Sequence, residues 1–343
     1  MRAAYIAVAL LTLVAGAALG RASGSESDPT GTSALRAPRS IPGDAFARPD
    51  SRAPAARLAQ VGRSTAPETL TTGDPSIAPF KWAGMVEYHD AKDAAGISHP
   101  LCTGQFITAN VVLTAAHCLN DPDDGITDPK TMSFWLQYQN GQATKIFKVS
   151  CGLTNPQWVV PDQATWKKMS DDDQNAVLAK IFPHDFAMLL VDGGSSPTGY
   201  IPVALDWKGK YSYAERIGYP ENILGGRIVQ KVGGIVFFAD SIPLRDNALP
   251  NEVVQWGPVT DATQGMSGGA WVANQDTTRK TYNPILIAVT SYSPVNKYNA
   301  PVFPGGTFAA YLKAEEYNPL LQRVQNGCQE PSSAGPLGAP QPK

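Results

Sequence analysis

Three short segments of the 343-residue chain carry side chains that could act together in hydrolysis. In chain order they are Thr114-Ala115-Ala116-His117-Cys118, His184-Asp185-Phe186-Ala187 and Gly265-Met266-Ser267-Gly268-Gly269. A serine hydroxyl is a poor nucleophile at neutral pH unless an imidazole accepts its proton and a buried carboxylate orients that imidazole. His117, Asp185 and Ser267 therefore predict acyl transfer through a covalent intermediate on the serine.

The order of these residues separates two classes of hydrolase, because unrelated folds thread the same triad differently. The segment around Ser267 also fits the Gly-x-Ser-x-Gly turn of the α/β-hydrolases, in which the catalytic histidine follows the serine. All four histidines of this chain precede Ser267, at positions 89, 99, 117 and 184. An esterase of the α/β-hydrolase fold is therefore excluded.

Two nearby residues compete for the roles of base and carboxylate. His184 is adjacent to Asp185, and a base beside its own orienting carboxylate has poor triad geometry, so we interpret His184 as a strand-edge residue. Asp192 follows an apolar run, but the Gly193–Ser196 segment after it predicts an exposed turn. Asp185 is therefore the preferred carboxylate.

The elements that must position these residues are short strands separated by Gly, Pro and Asn. One predicted hairpin, 104–108 with 111–114, leads directly into His117. A second, 134–138 with 145–149, brackets Asn140-Gly141, a dipeptide typical of tight hairpin turns. Further strands are predicted at 186–191, 227–238, 270–272 and 285–290, and helices at about 164–181 and 308–325. The pattern lacks strand–helix alternation and favours an antiparallel all-β barrel architecture.

Both ends of the chain differ in composition from this core. Residues 1–22 combine a positive charge with an apolar run and small residues, which is typical of a secretory signal peptide. Residues 23–75 and 329–343 are rich in Ser, Ala and Pro and bury too little apolar surface to offset the entropy of ordering. We expect a disordered linker or pro-segment at 23–75, the folded domain at 76–328 and a disordered tail at 329–343.

Four cysteines in an exported chain favour two disulfides. Cys102 lies one hairpin upstream of Cys118, which adjoins His117, so we expect Cys102–Cys118 to fix the turn that carries the histidine. Cys151–Cys328 then follows by elimination. The chain has no Cys-x-x-Cys or His-x-x-x-His spacing, and we expect neither a metal site nor a cofactor.

Charge limits the classes of partner. A formal net charge of -2 argues against nucleic acid or an anionic membrane as an electrostatically held partner. Residues 121–128 are rich in Asp, but Gly125 is one place too early for a calcium-binding EF-hand, which predicts a solvated acidic loop. We expect a monomer, secreted to the extracellular or periplasmic space, that acts on proteins or peptides and is not inserted in a membrane once the signal is removed.

On these motifs the chain resembles the chymotrypsin-like serine proteases over roughly residues 76–325. Thr114–Cys118 matches that family's histidine motif without a change, and Asp185–Leu190 matches its Asp-Ile-Ala-Leu-Leu type of strand. Gly265–Gly269 matches its serine motif apart from Met266. The resemblance implies two antiparallel six-stranded β-barrels with a C-terminal helix.

The resemblance also implies roles for the site residues. His117 would be the general base and later the acid, Asp185 would hold its tautomer, and Ser267 would be acylated. The backbone amides of Gly265 and Ser267 would form the oxyanion hole. A catalytically silent protein that keeps the protease fold is the alternative, and the intact triad and Gly265 argue against it.

Activation differs from the trypsin type. Met266 stands where trypsin-like enzymes carry an Asp that pairs with a new N-terminal ammonium, and residues 65–80 contain no Ile-Val-Gly-Gly start. In this respect, and in Gly218-Tyr219-Pro220, the chain is similar to the bacterial glutamyl-endopeptidase-like branch. Removal of 23–75 from a zymogen, uncovering the cleft or freeing a strand edge, remains a hypothesis.

Substrate specificity is predicted from the loop before the serine. Asp261 lies six residues before Ser267, where trypsin-like enzymes place the carboxylate that binds a substrate Arg or Lys. The alternative is a loop residue without that role, since glutamyl-endopeptidase-like sequences can carry Asp there. Thr290, Ser291 and Ser293 resemble the strand lining the pocket, with Ser291 placed to pair with substrate backbone. We expect a weak preference for cleavage after Arg or Lys.

Overall fold

Short strands joined by tight turns form two large antiparallel sheets and one small two-stranded sheet in the computed structural model. The structure describes residues 71–88, 99–207, 213–221, 223–238, 252–256, 265–274, 283–291 and 306–329. Its strands are β1 Thr71–Thr72, β2 Ala83–Tyr88, β3 His99–Phe106, β4 Val111–Thr114, β5 Asn120–Asp121, β6 Gly125–Ile126, β7 Met132–Leu136, β8 Lys145–Thr154, β9 Ala187–Val191, β10 Tyr213–Gly218, β11 Gln230–Phe238, β12 Glu252–Trp256, β13 Ala270–Asn274, β14 Pro284–Thr290 and β15 Gly306–Tyr311. Its α-helices are α1 Gln163–Trp166, α2 Asp171–Ile181 and α3 Ala314–Gln325.

The first sheet is a closed six-stranded barrel in the order β2-β3-β4-β9-β8-β7. Fully buried Phe106, Phe134 and Phe147, from β3, β7 and β8, pack in its core. The ring of Phe106 meets the other two edge-on, with centroids 5.1 Å apart in each case. Such pairs add about 1 kcal/mol each beyond the burial of their area, so the barrel that carries the histidine is a rigid support.

The second sheet has the order β1-β11-β10-β13-β14-β15-β12, with an additional pairing of β11 with β12. Because β11 pairs with both β10 and β12, the pairings among β10–β15 complete a circuit of six strands. All seven residues of β14 are buried. The predicted all-β class is confirmed, with the C-terminal helix α3 following β15.

The Asn140-Gly141 hairpin between β7 and β8 is also confirmed. Asn140 has φ 49° and Gly141 has φ 87°, and two successive residues with positive φ give the turn whose twist matches antiparallel strands. The Asn140 amide also donates to the Arg227 carbonyl at 2.8 Å. The turn is therefore fixed both by its own residue types and by a distant contact.

One predicted helix begins too early. The sequence predicts helix over 308–325, but residues 306–311 form β15 and α3 begins at Ala314. Strand β15 pairs with both β12 and β14, and its residues Thr307–Tyr311 are buried. The alanines here have helical propensity, but pairing on both edges of the strand outweighs it.

Both expected disulfides are present. Cys102 is bonded to Cys118 with Cα atoms 6.3 Å apart, and Cys151 to Cys328 with Cα atoms 6.2 Å apart. The first joins β3 to the turn after β4, and the second joins β8 to the segment after α3. The histidine turn and the C-terminal helix are therefore both covalently attached to the first barrel.

The predicted domain boundaries fall partly outside the described residues. The predicted signal peptide, residues 23–70 of the predicted pro-segment and residues 330–343 of the predicted tail are all outside them. Strand β1 lies before the predicted boundary at 76, and Thr71 and Thr72 pair with Lys231 and Gln230 of β11. Where the chain is described, no helix has the length and apolarity needed to cross a bilayer.

Candidate active site

His117 and Asp185 meet because of the pairing of β4 with β9. Thr114, at the end of β4, is opposite Ala187, at the start of β9. His117 lies three residues after Thr114, and Asp185 lies two residues before Ala187. The histidine turn and the aspartate turn therefore emerge side by side from one edge of the barrel, although 68 residues separate them along the chain.

The Asp185 carboxylate is fully buried and accepts three hydrogen bonds. Its Oδ2 lies 2.7 Å from His117 Nδ1, and its Oδ1 accepts from the His117 backbone amide at 2.9 Å. The Ser291 hydroxyl donates to Oδ2 at 2.5 Å. An ionised carboxylate accepts and cannot donate, so Nδ1 of the neutral imidazole carries the proton and Nε2 is left as the basic nitrogen.

The pKa of His117 is raised. Burial, the largest influence, lowers it, but the charge of Asp185, its hydrogen bond to Nδ1 and the charge of Asp121 together outweigh burial. The His117 side chain is 20% exposed, whereas Asp185 is fully enclosed. The imidazole is therefore both accessible to a reacting partner and stabilised in its protonated form, which a group that accepts and returns a proton requires.

The loop that carries Ser267 docks on β3 through backbone and side-chain contacts. The Thr103 amide donates to the Ser267 carbonyl at 2.8 Å, and the Thr103 hydroxyl donates to the Gly265 carbonyl at 2.6 Å. Gln105 Nε2 donates to the Gly268 carbonyl at 3.1 Å. The serine loop is thus held by the strand that also carries Cys102, whose disulfide reaches the residue after His117.

Close approach of this loop to the histidine turn requires glycine at 268. A Cβ at Gly268 would collide with the Thr103 carbonyl and the Thr114 hydroxyl, and would lie 2.7 Å from the Ala115 amide. The residue after Ser267 is thus in contact with the chain two residues before His117. These two described residues, Ser267 and His117, form no hydrogen bond through their side chains, and such bonds often tighten only when substrate is bound.

Among the described residues, two backbone amides of the serine loop have no hydrogen-bond acceptor. The amides of Gly268 and Gly269 donate to the carbonyls of Thr290 and Met266, whereas those of Gly265 and Ser267 donate to no described residue. Gly265 has φ +89°, and a Cβ there would collide with the Tyr219 carbonyl. Both the left-handed backbone and the close approach of Tyr219 therefore favour glycine at 265.

Of the four residues predicted to determine specificity, the structure describes Thr290 and Ser291. Thr290 is buried, and its hydroxyl accepts from the Trp271 indole nitrogen at 2.9 Å. Ser291 is buried against Asp185, a contact that the sequence did not predict. Asp261 and Ser293 lie outside the described residues.

His184 is not the strand-edge residue that the sequence predicted. It ends a short 3₁₀ turn, Phe182–His184, that leads into Asp185. Its Nδ1 lies 2.9 Å from Glu316 Oε2 on α3, and the same oxygen accepts from Asn155 at 2.6 Å. Burial opposes ionisation of Glu316, but the hydrogen bonds from His184 and Asn155 outweigh it and lower its pKa.

Within the described residues, Cys102, His117 and Cys118 lie close enough together to form a metal-ligand set. The two sulfurs are bonded to each other, however, and a disulfide offers no thiolate to a metal. This group is therefore part of the histidine turn and not a metal centre.

The docking of the serine loop on Thr103 yields a prediction. Thr103→Val keeps the size of the side chain but removes the hydroxyl that donates to Gly265 and accepts from the Tyr219 amide at 3.0 Å. An unsatisfied buried group costs about 1–3 kcal/mol. We expect the second-order rate of Ser267 labelling by a fluorophosphonate to fall about tenfold.

Thr103→Ser is the matched control, because it keeps the hydroxyl, and it should label at nearly the wild-type rate. Equal labelling rates for the valine and serine variants would show that this hydroxyl does not position the loop.

The chain is similar to known proteins in one part of its sequence and in its fold. A family model described as Trypsin matches residues 74–177, a span that includes His117 and ends before Asp185 and Ser267. No protein with a curated description matches the chain. The chain is similar in structure to the protease Anisep from Arthrobacter nicotinovorans, with a TM-score of 0.50 and 18% identity over 74% of this chain and 99% of that one.

Two other solved structures are similar at lower TM-scores. A Glu endopeptidase in complex with MPD gives 0.48 with 15% identity over 76% of this chain and 98% of that one. The thermostable serine protease AL20, from an extremophilic microorganism, gives 0.45 with 17% identity over 71% and 94%. The Trypsin match covers the histidine turn, and the chain shares its fold with the protease Anisep.

Proposed function

We propose that this protein is a serine endopeptidase in which His117, Asp185 and Ser267 are the catalytic triad. The observation that carries the proposal is the buried carboxylate of Asp185 bonded to Nδ1 of a partly exposed imidazole. That bond leaves Nε2 as the proton acceptor, and the serine loop packs against the turn that carries this imidazole. The arrangement suits a hydroxyl that must lose its proton as it attacks a carbonyl.

The proposed reaction follows from these positions. His117 Nε2 takes the Ser267 hydroxyl proton while Oγ attacks the carbonyl carbon of the cleaved bond, and the imidazolium is stabilised by Asp185. The amides of Gly265 and Ser267, which have no acceptor among the described residues, bind the oxygen that gains negative charge. His117 then gives its proton to the leaving amine, and the acyl group stays on Ser267. A water molecule, deprotonated by His117, hydrolyses this ester and restores the hydroxyl.

The proposal extends to location and specificity. Residues 1–22 are proposed to direct export, and two disulfides suit an oxidising compartment. Asp261 is proposed to favour cleavage after Arg or Lys, a proposal that rests on its spacing from Ser267.

Covalent labelling tests the proposed chemistry. A fluorophosphonate should modify Ser267 in the wild type, as located by peptide mass spectrometry, and should fail to modify Ser267→Ala. Asp185→Asn should label on the order of 10³–10⁴ times more slowly, because the imidazole loses the acceptor that fixes its tautomer. A correctly folded wild type that takes up no label is a catalytically silent member of the family, and the proposal is then wrong.

The raised pKa of His117 predicts the pH dependence. His117 must be neutral to accept a proton, so activity is lost as pH falls through its pKa. Because that pKa is raised from its ordinary 6.5, the acid limb of kcat/KM should have its midpoint above 6.5. Initial rates measured on one peptide from pH 5 to about 9 test this; a midpoint below 6.5 would contradict it.

The proposed role of Asp261 is tested with a peptide library. Asp261→Ser should abolish the preference for Arg or Lys at the residue whose carbonyl is attacked, because the charge complementary to the cation is removed. Labelling of Ser267 should persist in this variant. An unaltered cleavage profile would refute the assignment of Asp261.

A further inference from the structure

An open cleft of about 200 Å³ lies directly beside the proposed catalytic centre. His117 and Ser291 both line it. A substrate whose cleaved bond reaches His117 must therefore place a neighbouring side chain at this cleft. The sequence motifs do not point to this cleft.

The Asp121 carboxylate lines this cleft, and only one of its two oxygens accepts hydrogen bonds from described residues. Its Oδ1 accepts from the amides of Asp123 and Asp124 at 2.8 and 3.2 Å, which closes the turn between β5 and β6. Its other oxygen accepts no hydrogen bond from a described residue, and no lysine or arginine in the described ranges pairs with it. Burial raises the pKa of Asp121, as expected for a half-enclosed carboxylate that lacks a cation.

The rest of the lining is mostly apolar and is held in place. Trp166 of α1, Leu178 of α2 and Phe182 after α2 line the cleft together with Asp123. The Trp166 indole nitrogen donates to Asp123 Oδ1 at 2.8 Å, which ties the helical side of the cleft to the acidic turn. The walls therefore present aromatic and aliphatic surface with a carboxylate beside it.

We infer that this cleft binds a lysine or arginine side chain of the substrate, at a residue that adjoins the cleaved bond and is not the one whose carbonyl is attacked. The aliphatic stem packs on Trp166, Leu178 and Phe182, and the cationic head pairs with Asp121. This inference rests on the proposed function, and it makes Asp121 a specificity-determining residue. An acidic side chain in the same place would meet the carboxylates of Asp121 and Asp123 and be rejected.

Peptides that differ in one side chain test the inference. With the attacked residue held constant, each neighbouring position carries lysine, norleucine or glutamate, since norleucine has the lysine stem without the charge. At one position we expect kcat/KM about tenfold higher for lysine than for norleucine, with glutamate lowest. In Asp121→Asn, which keeps the acceptor for the turn, that ratio should fall to about one.

A control variant separates binding at the cleft from a general effect of charge. Asp124→Asn makes the same charge change at an exposed residue that does not line the cleft, and it should keep the lysine preference. Loss of the Asp121 charge also acts on His117, but that effect reaches all substrates equally and leaves the ratio unchanged.

A binding measurement keeps the inference independent of catalysis. In Ser267→Ala, fluorescence anisotropy of labelled peptides should give a Kd about tenfold lower for the lysine peptide than for the norleucine peptide, and Asp121→Asn should remove the difference. Equal affinities, or a preference that survives Asp121→Asn, would overturn the inference. A wild type that binds with this preference but cleaves nothing would instead overturn the proposed function.

Discussion

The site depends on one buried charge. A carboxylate withdrawn from water is costly unless its oxygens are fully hydrogen-bonded, and Asp185 is fully buried with three donors around it. Two of those donors belong to His117 of the first barrel, and the third is Ser291, directly after β14 of the second sheet. The Asp185 carboxylate therefore has all three of its hydrogen bonds only when the two sheets are packed together correctly. The same hydrogen bonds orient the imidazole of His117.

The site also requires that the serine loop reaches the histidine turn. Thr103 and Gln105 of β3 hold the carbonyls around Ser267, and glycine at 268 lets the backbones touch. On the other side of Asp185, the contact of His184 with Glu316 ties its turn to α3, whose end is attached to β8 by the Cys151–Cys328 disulfide. The proposed catalytic groups lie on turns, but each turn is anchored to a strand or a helix.

Sequence patterns predicted best those structural features that depend on residues close together in the chain. The Asn140-Gly141 hairpin, the hairpin into His117 and the Cys102–Cys118 disulfide could be read from residue types and short spacings. The Cys151–Cys328 disulfide, whose cysteines are 177 residues apart, followed only by elimination. The strand at 306–311 could not be read in this way, because pairing on both of its edges overrides the propensity of its alanines. The contacts of Ser291 with Asp185 and of Thr103 with Gly265 were also missed, because these pairs are 106 and 162 residues apart and meet only through tertiary packing.

The account rests on an imidazole whose Nδ1 proton is held by Asp185 and whose Nε2 is free to act as a base. Nitrogen-15 NMR of protein labelled at histidine, with His117 assigned by its substitution, reports which nitrogen is protonated and follows its titration. The account predicts that neutral His117 is protonated at Nδ1 and titrates above the ordinary pKa of 6.5. A neutral form protonated at Nε2, or a His117 titration unchanged in Asp185→Asn, would contradict it.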